Sequence, residues 1–169
     1  MQMSKQDTDK VWMDSEVPTV TVIHSENRYP DHAGATHDPD EAVAEVTYLK
    51  SLPTYDGKLH EDDLDKVLGY AWRWTNNVDG SWSRKELKLA DEDGLLHENG
   101  DYNENVKVLL PNPRYEGREM GRRSSMVGDI YILNTKAGSI MYSVDDFGFT
   151  NLNDTIKNAI NENTVGESI

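Results

Sequence analysis

Five stretches of the chain carry a regular apolar pattern, and polar segments rich in Gly, Pro and acids separate them. "VPTVTVIHS" carries β-branched Val17, Val20, Val22 and Ile23, with Pro18 and Ser25 as bounds, which predicts a strand. "DPDEAVAEVTYLKSLP" offers Asp38 or Asp40 as a cap and Pro39 near the first turn, with Pro53 as a stop. Its stripe of Ala42, Val43, Val46, Tyr48, Leu49 and Leu52 predicts a helix over 40–52. In "KVLGYAWRWT" the aromatics Tyr70, Trp72 and Trp74 recur every second residue. A helical reading exists, but Gly69 and three aromatics favour a strand, followed by a turn at "NNVDGSW" and a returning strand at "SRKELKL".

"VKVLLPNP" reads as a short strand ended by Pro111. "GDIYILN" and "SIMYSV" form a hairpin around "TKAG", where Gly138 can take the positive φ of a tight turn. Ile130 and Ile132 would face one side, Tyr131 and Leu133 the other. "DDFGF" is expected to leave the sheet, and "NLNDTIKNAINEN" to form a short helix. The segments "ENRYPDHAGATHDPD" and "ADEDGLLHENGDYNEN" read as loops.

These elements predict an α+β fold: a small, mostly antiparallel sheet curling into a partial barrel or roll, with one or two packed helices. At 169 residues the expectation is a flexible N-terminus over 1–16, a single domain over 17–160 with a hairpin region at 120–152, and a flexible tail over 161–169.

Charge changes the picture most. Seventeen Lys and Arg face thirty-one Asp and Glu, a net charge of -14. Such a surface repels phosphates and argues against a protein that coats nucleic acid. It suits high solubility or a salty cytoplasm, a face that docks a basic partner, or an inhibitor that mimics DNA. Four Trp and eight Tyr argue for a folded core. With no Cys, there is no disulfide framework, thiolate nucleophile or Cys-based zinc site. No apolar run reaches the length of a membrane span, and "MQMSKQDTDK" lacks the apolar region of a signal peptide, so a cytoplasmic protein without membrane association is expected.

The basic residues gather at one place. Arg114, Arg118, Arg122 and Arg123, diluted by Glu116 and Glu119, precede the hairpin, with Ser124 beside them. They could bind an anion or nucleic acid, with Trp72, Trp74 or Trp82 exposed for base stacking, or pair with the chain's own acids. "TNNVDGSWSRKE" fits a calcium loop at Asn77, Asp79, Gly80, Ser83 and Glu86, but Thr75 stands where an acid should coordinate. A plain turn is the preferred reading. His24, His32 and His37, beside Asp31 and Asp38, could form a metal site, although their spacing matches no compact zinc pattern. No motif asks for a cofactor, and no phosphate loop, nucleophile elbow or paired-His helix is present.

"RRSSMVGDIYIL" followed by "YSVDDFGFTNL" resembles the YodL-like domain of phage and mobile-element proteins. The matching positions are Arg123, Ser124, Val127, Gly128, Asp129, Tyr142, Phe147, Gly148 and Phe149, and the similarity covers about residues 70–152. Met126 departs from that pattern, as does the marked acidity. The resemblance implies an accessory protein of a phage or mobile element. Its expected action is to bind a host macromolecule in the host cytoplasm, through an acidic surface that meets a basic host protein. Nucleic acid bound by the Arg114 to Arg123 stretch is the alternative partner, and a metal-dependent protein the third. Physically, Gly128 and Asp129 turn the chain into the strand, with Asp129 accepting backbone N–H bonds, and Phe147 and Phe149 are expected to plug the sheet.

Overall fold

The computed structural model describes residues 14–25, 41–88 and 96–153, apart from the side chains of residues 88, 96, 97, 115 and 118. Its strands are β1 (Ser15–Glu16), β2 (Thr19–Ile23), β3 (Ala42–Thr47), β4 (Leu52–Tyr55) and β5 (Lys58–Leu59). Helix α1 (Glu61–Trp74) follows. Then come β6 (Leu87–Lys88), β7 (Leu96–His97), β8 (Val106–Val108), β9 (Arg114–Tyr115), β10 (Arg118–Glu119), β11 (Ile130–Thr135), β12 (Gly138–Asp145) and β13 (Gly148–Asn151).

The main sheet has six antiparallel strands in the order β13-β12-β11-β2-β3-β8. It is open, with β13 and β8 as its edges, and no closed barrel forms among the described residues. Among the described residues the architecture is therefore α+β, antiparallel sheets with one helix. Three small sheets flank the main one: β1-β4-β5, β6-β7 and β9-β10. Ser15 and Glu16, expected to be flexible, pair with Pro53 and Leu52.

Register explains the core. Val46, Val20 and Leu133 align across the sheet, as do Ala44, Val22, Tyr131 and Tyr142 in the next row. All of these residues are buried. Side chains alternate along a strand, so the intervening Thr19, Thr21 and Asn134 occupy the other face, where the Asn134 amide donates to both threonine hydroxyls. The hairpin prediction holds in detail, with Tyr131 and Leu133 inward and Gly138 at φ +127°.

Two predicted elements are exchanged. The predicted helix over 40–52 is instead β3, a turn and β4, while the predicted strand around Tyr70 to Trp74 is the end of α1. The pairing of β2 with β3 carries a bulge at Val22/Ile23, where Ile23 faces Ala42 and Val22 faces Ala44. The bulge leaves Val43 as the extra residue, so Val43 and Ala44 are both buried. This break in alternation imitates a helical stripe.

In α1, His60 Nδ1 accepts from the Asp62 N–H at 3.2 Å, and Glu61, Asp62 and Asp63 place negative charge at the dipole's positive end. Leu64, Val67, Leu68 and Ala71 follow the helical spacing and pack on the sheet. The aromatic alternation is a side effect: Tyr70 and Trp74 lie one turn apart, with ring centroids separated by 6.3 Å.

Two short hairpins escaped the pattern. Asp56 and Gly57 have φ of 51° and 77°, and Glu116 and Gly117 have φ of 48° and 79°. Both are two-residue turns with consecutive positive φ, the type whose twist matches paired strands. "DDFGF" does not leave the sheet, because it turns β12 into β13. The predicted C-terminal helix lies outside the described residues beyond Asn153. No described helix is long and apolar enough to cross a membrane.

Candidate functional site

Of the arginines expected to form a basic patch, Arg122 and Arg123 are engaged within the fold. Arg114 is exposed, and its guanidinium donates to the Gly117 carbonyl at 2.9 Å. Arg122 is buried and donates from Nη2 to the Pro111 carbonyl. Burial lowers its pKa from the ordinary arginine value, with the Glu41 charge opposing that shift. Arg123 makes a two-pronged pair with Asp129, Nη1 to Oδ2 at 2.9 Å and Nη2 to Oδ1 at 2.8 Å. The local charge there is consumed within the fold. Arg118 contributes its backbone to β10.

The segment from Arg122 to Ser125 runs along the loop that leaves α1. The Arg122 N–H donates to Ser83 Oγ, Asn77 Nδ2 to the Arg122 carbonyl, and Trp82 Nε1 to the Arg123 carbonyl. The Asn77 N–H donates to Ser124 Oγ, and the Ser125 N–H to the Thr75 carbonyl. Ser124, read as part of an anion cradle, thus holds a backbone donor of the opposite loop. These backbone groups find their partners inside the molecule, as buried backbone requires, while the buried Arg122 Nε has none among the described residues.

That same network occupies the calcium-like loop. The Thr75 hydroxyl is fully buried, donating to the Ala71 carbonyl and lying within 2.7 Å of Ser125 Oγ and 3.1 Å of the Tyr131 hydroxyl. Asn77 Oδ1 accepts from the Trp82 N–H at 2.9 Å. Gly80, with φ +147°, lies so close to Asn99 that a Cβ would meet Oδ1 at 2.1 Å. Asn99 in turn accepts from the Ser81 N–H, and Asp101 from the N–H groups of Val78 and Asp79. The loop's turn is fastened by Asn99 and Asp101, and two of its candidate ligands bond other partners.

Asp129 is the hub of the sheet's end. It is fully buried and accepts from the Met126 N–H at 2.8 Å and the Ser25 N–H at 3.1 Å, besides Arg123. The expectation that it would accept backbone donors at the turn is met. His24 Nε2 stands 3.8 Å from its Oδ2 and 3.4 Å from Ser125 Oγ, with its ring edge-on to Trp82. Serine and carboxylate both approach the same ring nitrogen. A relay needs them on opposite nitrogens, so the trio is a packed polar core and not a nucleophile with its base. His32 and His37 lie outside the described residues. Among the described residues no group of three or more His, Cys, Asp or Glu could hold a metal ion.

Tyr131 completes this network. Burial pushes its phenol well above the ordinary tyrosine value, aided by the Asp129 charge and opposed by hydrogen bonds to Ser125 and Thr75 and by Arg123. A raised pKa in the folded state gives stability that is complete below the unfolded value, about 10, and declines above it. Urea midpoints of the wild type are expected to fall between about pH 9 and about pH 11 more steeply than those of Tyr131→Phe. Equal slopes in the two chains would sink this assignment.

Trp82, expected among the exposed stacking aromatics, is buried. Trp72 and Trp74 are half-buried, with the Arg73 guanidinium 4.2 Å above the Trp74 ring. Phe149 does plug the sheet, its ring centroid 5.6 Å from that of Tyr131. Phe147 does not, because it is wholly exposed at the β12–β13 turn. The reason is register: β13 pairs Phe149 with Val144, and that leaves Phe147 at the tip.

One cleft, of about 450 Å³, is lined by Arg84, Lys85, Glu86 and Glu119. Two cations and two carboxylates share its walls, and Glu119 accepts from the Asn112 amide. The cleft therefore selects no single sign of ligand charge. Compared with protein-family models, with curated proteins and with solved structures, the chain matches none.

Proposed function

We propose that this chain is a non-enzymatic binding module that docks a basic macromolecule through its acidic surface. The observation that carries this reading is the internal use of Arg122 and Arg123, one buried against the Pro111 carbonyl and one paired with Asp129. With those cations turned inward, the surface facing a partner is dominated by the acids of a chain of net charge -14. The resemblance to the YodL-like domain extends the proposal to its setting: a phage-type accessory protein that engages a host protein in the host cytoplasm, with a counter-defence or host-takeover role.

The test is a pull-down from bacterial lysate with and without nuclease, at rising salt, alongside a gel-shift titration with single-stranded and duplex DNA. The expected result is a basic protein retained after nuclease and released by salt, with no shift of either DNA. Capture of nucleic acid, with every protein lost after nuclease, would overturn it. Changing Arg114 and Arg118 to Ala would then show whether the arginine stretch is responsible.

A further inference from the structure

We infer that the β12–β13 turn is the anchor of this interaction, with Phe147 inserting into an apolar pocket of the partner whose rim carries Lys or Arg. The inference rests on the acidic-binding reading and names the contact it would use. Phe147 is 100% exposed, the most exposed large apolar residue among those described. It is also the residue least suited to water, since a phenyl ring gains by leaving it.

The ring is held out on a stiff support. Asp145 pairs with Gly148 across the turn, and Gly148 has φ +91°, so Asp146 and Phe147 form a tight turn closed by a glycine in the left-handed region. The Thr150 hydroxyl donates to the Asp145 carboxylate beneath it. A backbone turn fixed before contact loses little freedom on binding.

The surroundings specify the partner. Asp145 and Asp146, both exposed, stand next to Phe147 in the chain. Val127, 44% exposed, sits on the neighbouring turn at the same end of the sheet, because the Gly128 N–H donates to the Val144 carbonyl at 2.9 Å. An apolar centre with an acidic margin complements an apolar pocket with a basic margin. A second copy of this chain is a poor occupant, since its own surface carries the same sign of charge.

The experiment uses the full chain. Phe147 is replaced by photoreactive p-benzoylphenylalanine, irradiated in bacterial lysate, and the adduct is mapped by mass spectrometry. The crosslinked protein is then purified, and its binding to wild type, Phe147→Ala, Phe147→Leu and Asp145→Asn/Asp146→Asn is titrated. The expected adduct lies in an apolar pocket flanked by Lys or Arg. Phe147→Ala is expected to weaken binding by about 30-fold or more, Phe147→Leu by less, and the double Asn variant to lower the association rate and its salt dependence.

Because Phe147 touches solvent only, thermal melts of the two Phe147 variants should coincide with wild type. Salt-sensitive capture of a basic protein with no adduct at 147, or with affinity unchanged in Phe147→Ala, overturns the anchor while the acidic-surface reading stands. An adduct to a second copy of the chain also overturns it. Recovery of nucleic acid alone overturns both.

Discussion

Replacing Asp129 by Ala is expected to lower stability by about 3–5 kcal/mol, the usual cost of removing one member of a buried ion pair. The carboxylate is fully buried and holds four donors, two from Arg123 and one each from the backbones of Met126 and Ser25. Its loss strands the guanidinium, whose side chain is only 11% exposed, and two backbone N–H groups. A domain with a typical 5–15 kcal/mol to lose would be left marginal. The urea midpoint should drop with little change in slope. Asp129→Ala combined with Arg123→Met should lose less than the two single changes added together, because the stranded charge is then gone. A midpoint shift worth under about 1 kcal/mol would contradict the hub role.

Trp82→Ala is expected to cost a similar amount, about 3–5 kcal/mol. The indole is buried, donates from Nε1 to the Arg123 carbonyl at 2.7 Å, and meets His24 edge-on at 5.8 Å. Truncation opens a cavity where the loop after α1 meets the segment entering β11. Trp82→Phe keeps most of that volume and loses the hydrogen bond, so it should cost less. Near-ultraviolet circular dichroism and urea melts separate the two: a wild-type-like melt for Trp82→Ala would place the ring outside the core. Trp82 and Asp129 both engage Arg123, one its carbonyl and the other its guanidinium, so the two truncations should not add.

How far the fold can be read from the chain depends on which signal each element carries. The β11–β12 hairpin is legible because β-branched and aromatic residues alternate on both sides of a glycine turn, and β2 because its valines do the same. The exchange of β3 and α1 has a local cause in each. In β3, a bulge buries Val43 and Ala44 together, and the resulting stripe mimics a helix. In α1, three conspicuous aromatics at every second residue mask the Leu64, Val67, Leu68, Ala71 spacing that faces the core. Acid-Gly pairs at Asp56-Gly57 and Glu116-Gly117 were the available signal for the two small hairpins.

The site was less legible, because charge is counted in sequence but spent in space. Four arginines in one stretch look like a basic patch until Arg123 meets Asp129, six residues on, and Arg122 turns to the Pro111 carbonyl. Phe147 and Phe149 are two residues apart and equivalent in composition. Only the pairing of Val144 with Phe149 decides which one is packed and which one projects.

The place of β2 in the main sheet has a consequence for biosynthesis. This strand, near the beginning of the chain, is flanked by β3 on one side and β11 on the other, and Ser25 at its end binds an aspartate 104 residues further on. A ribosome delivers β2 early and its second neighbour late. Until residues 130–145 have emerged, the valines of β2 have one half of their sheet, and a sticky open edge stands where β11 belongs. Assembly of this sheet is therefore a long-range event that must wait for β11 and the strands after it.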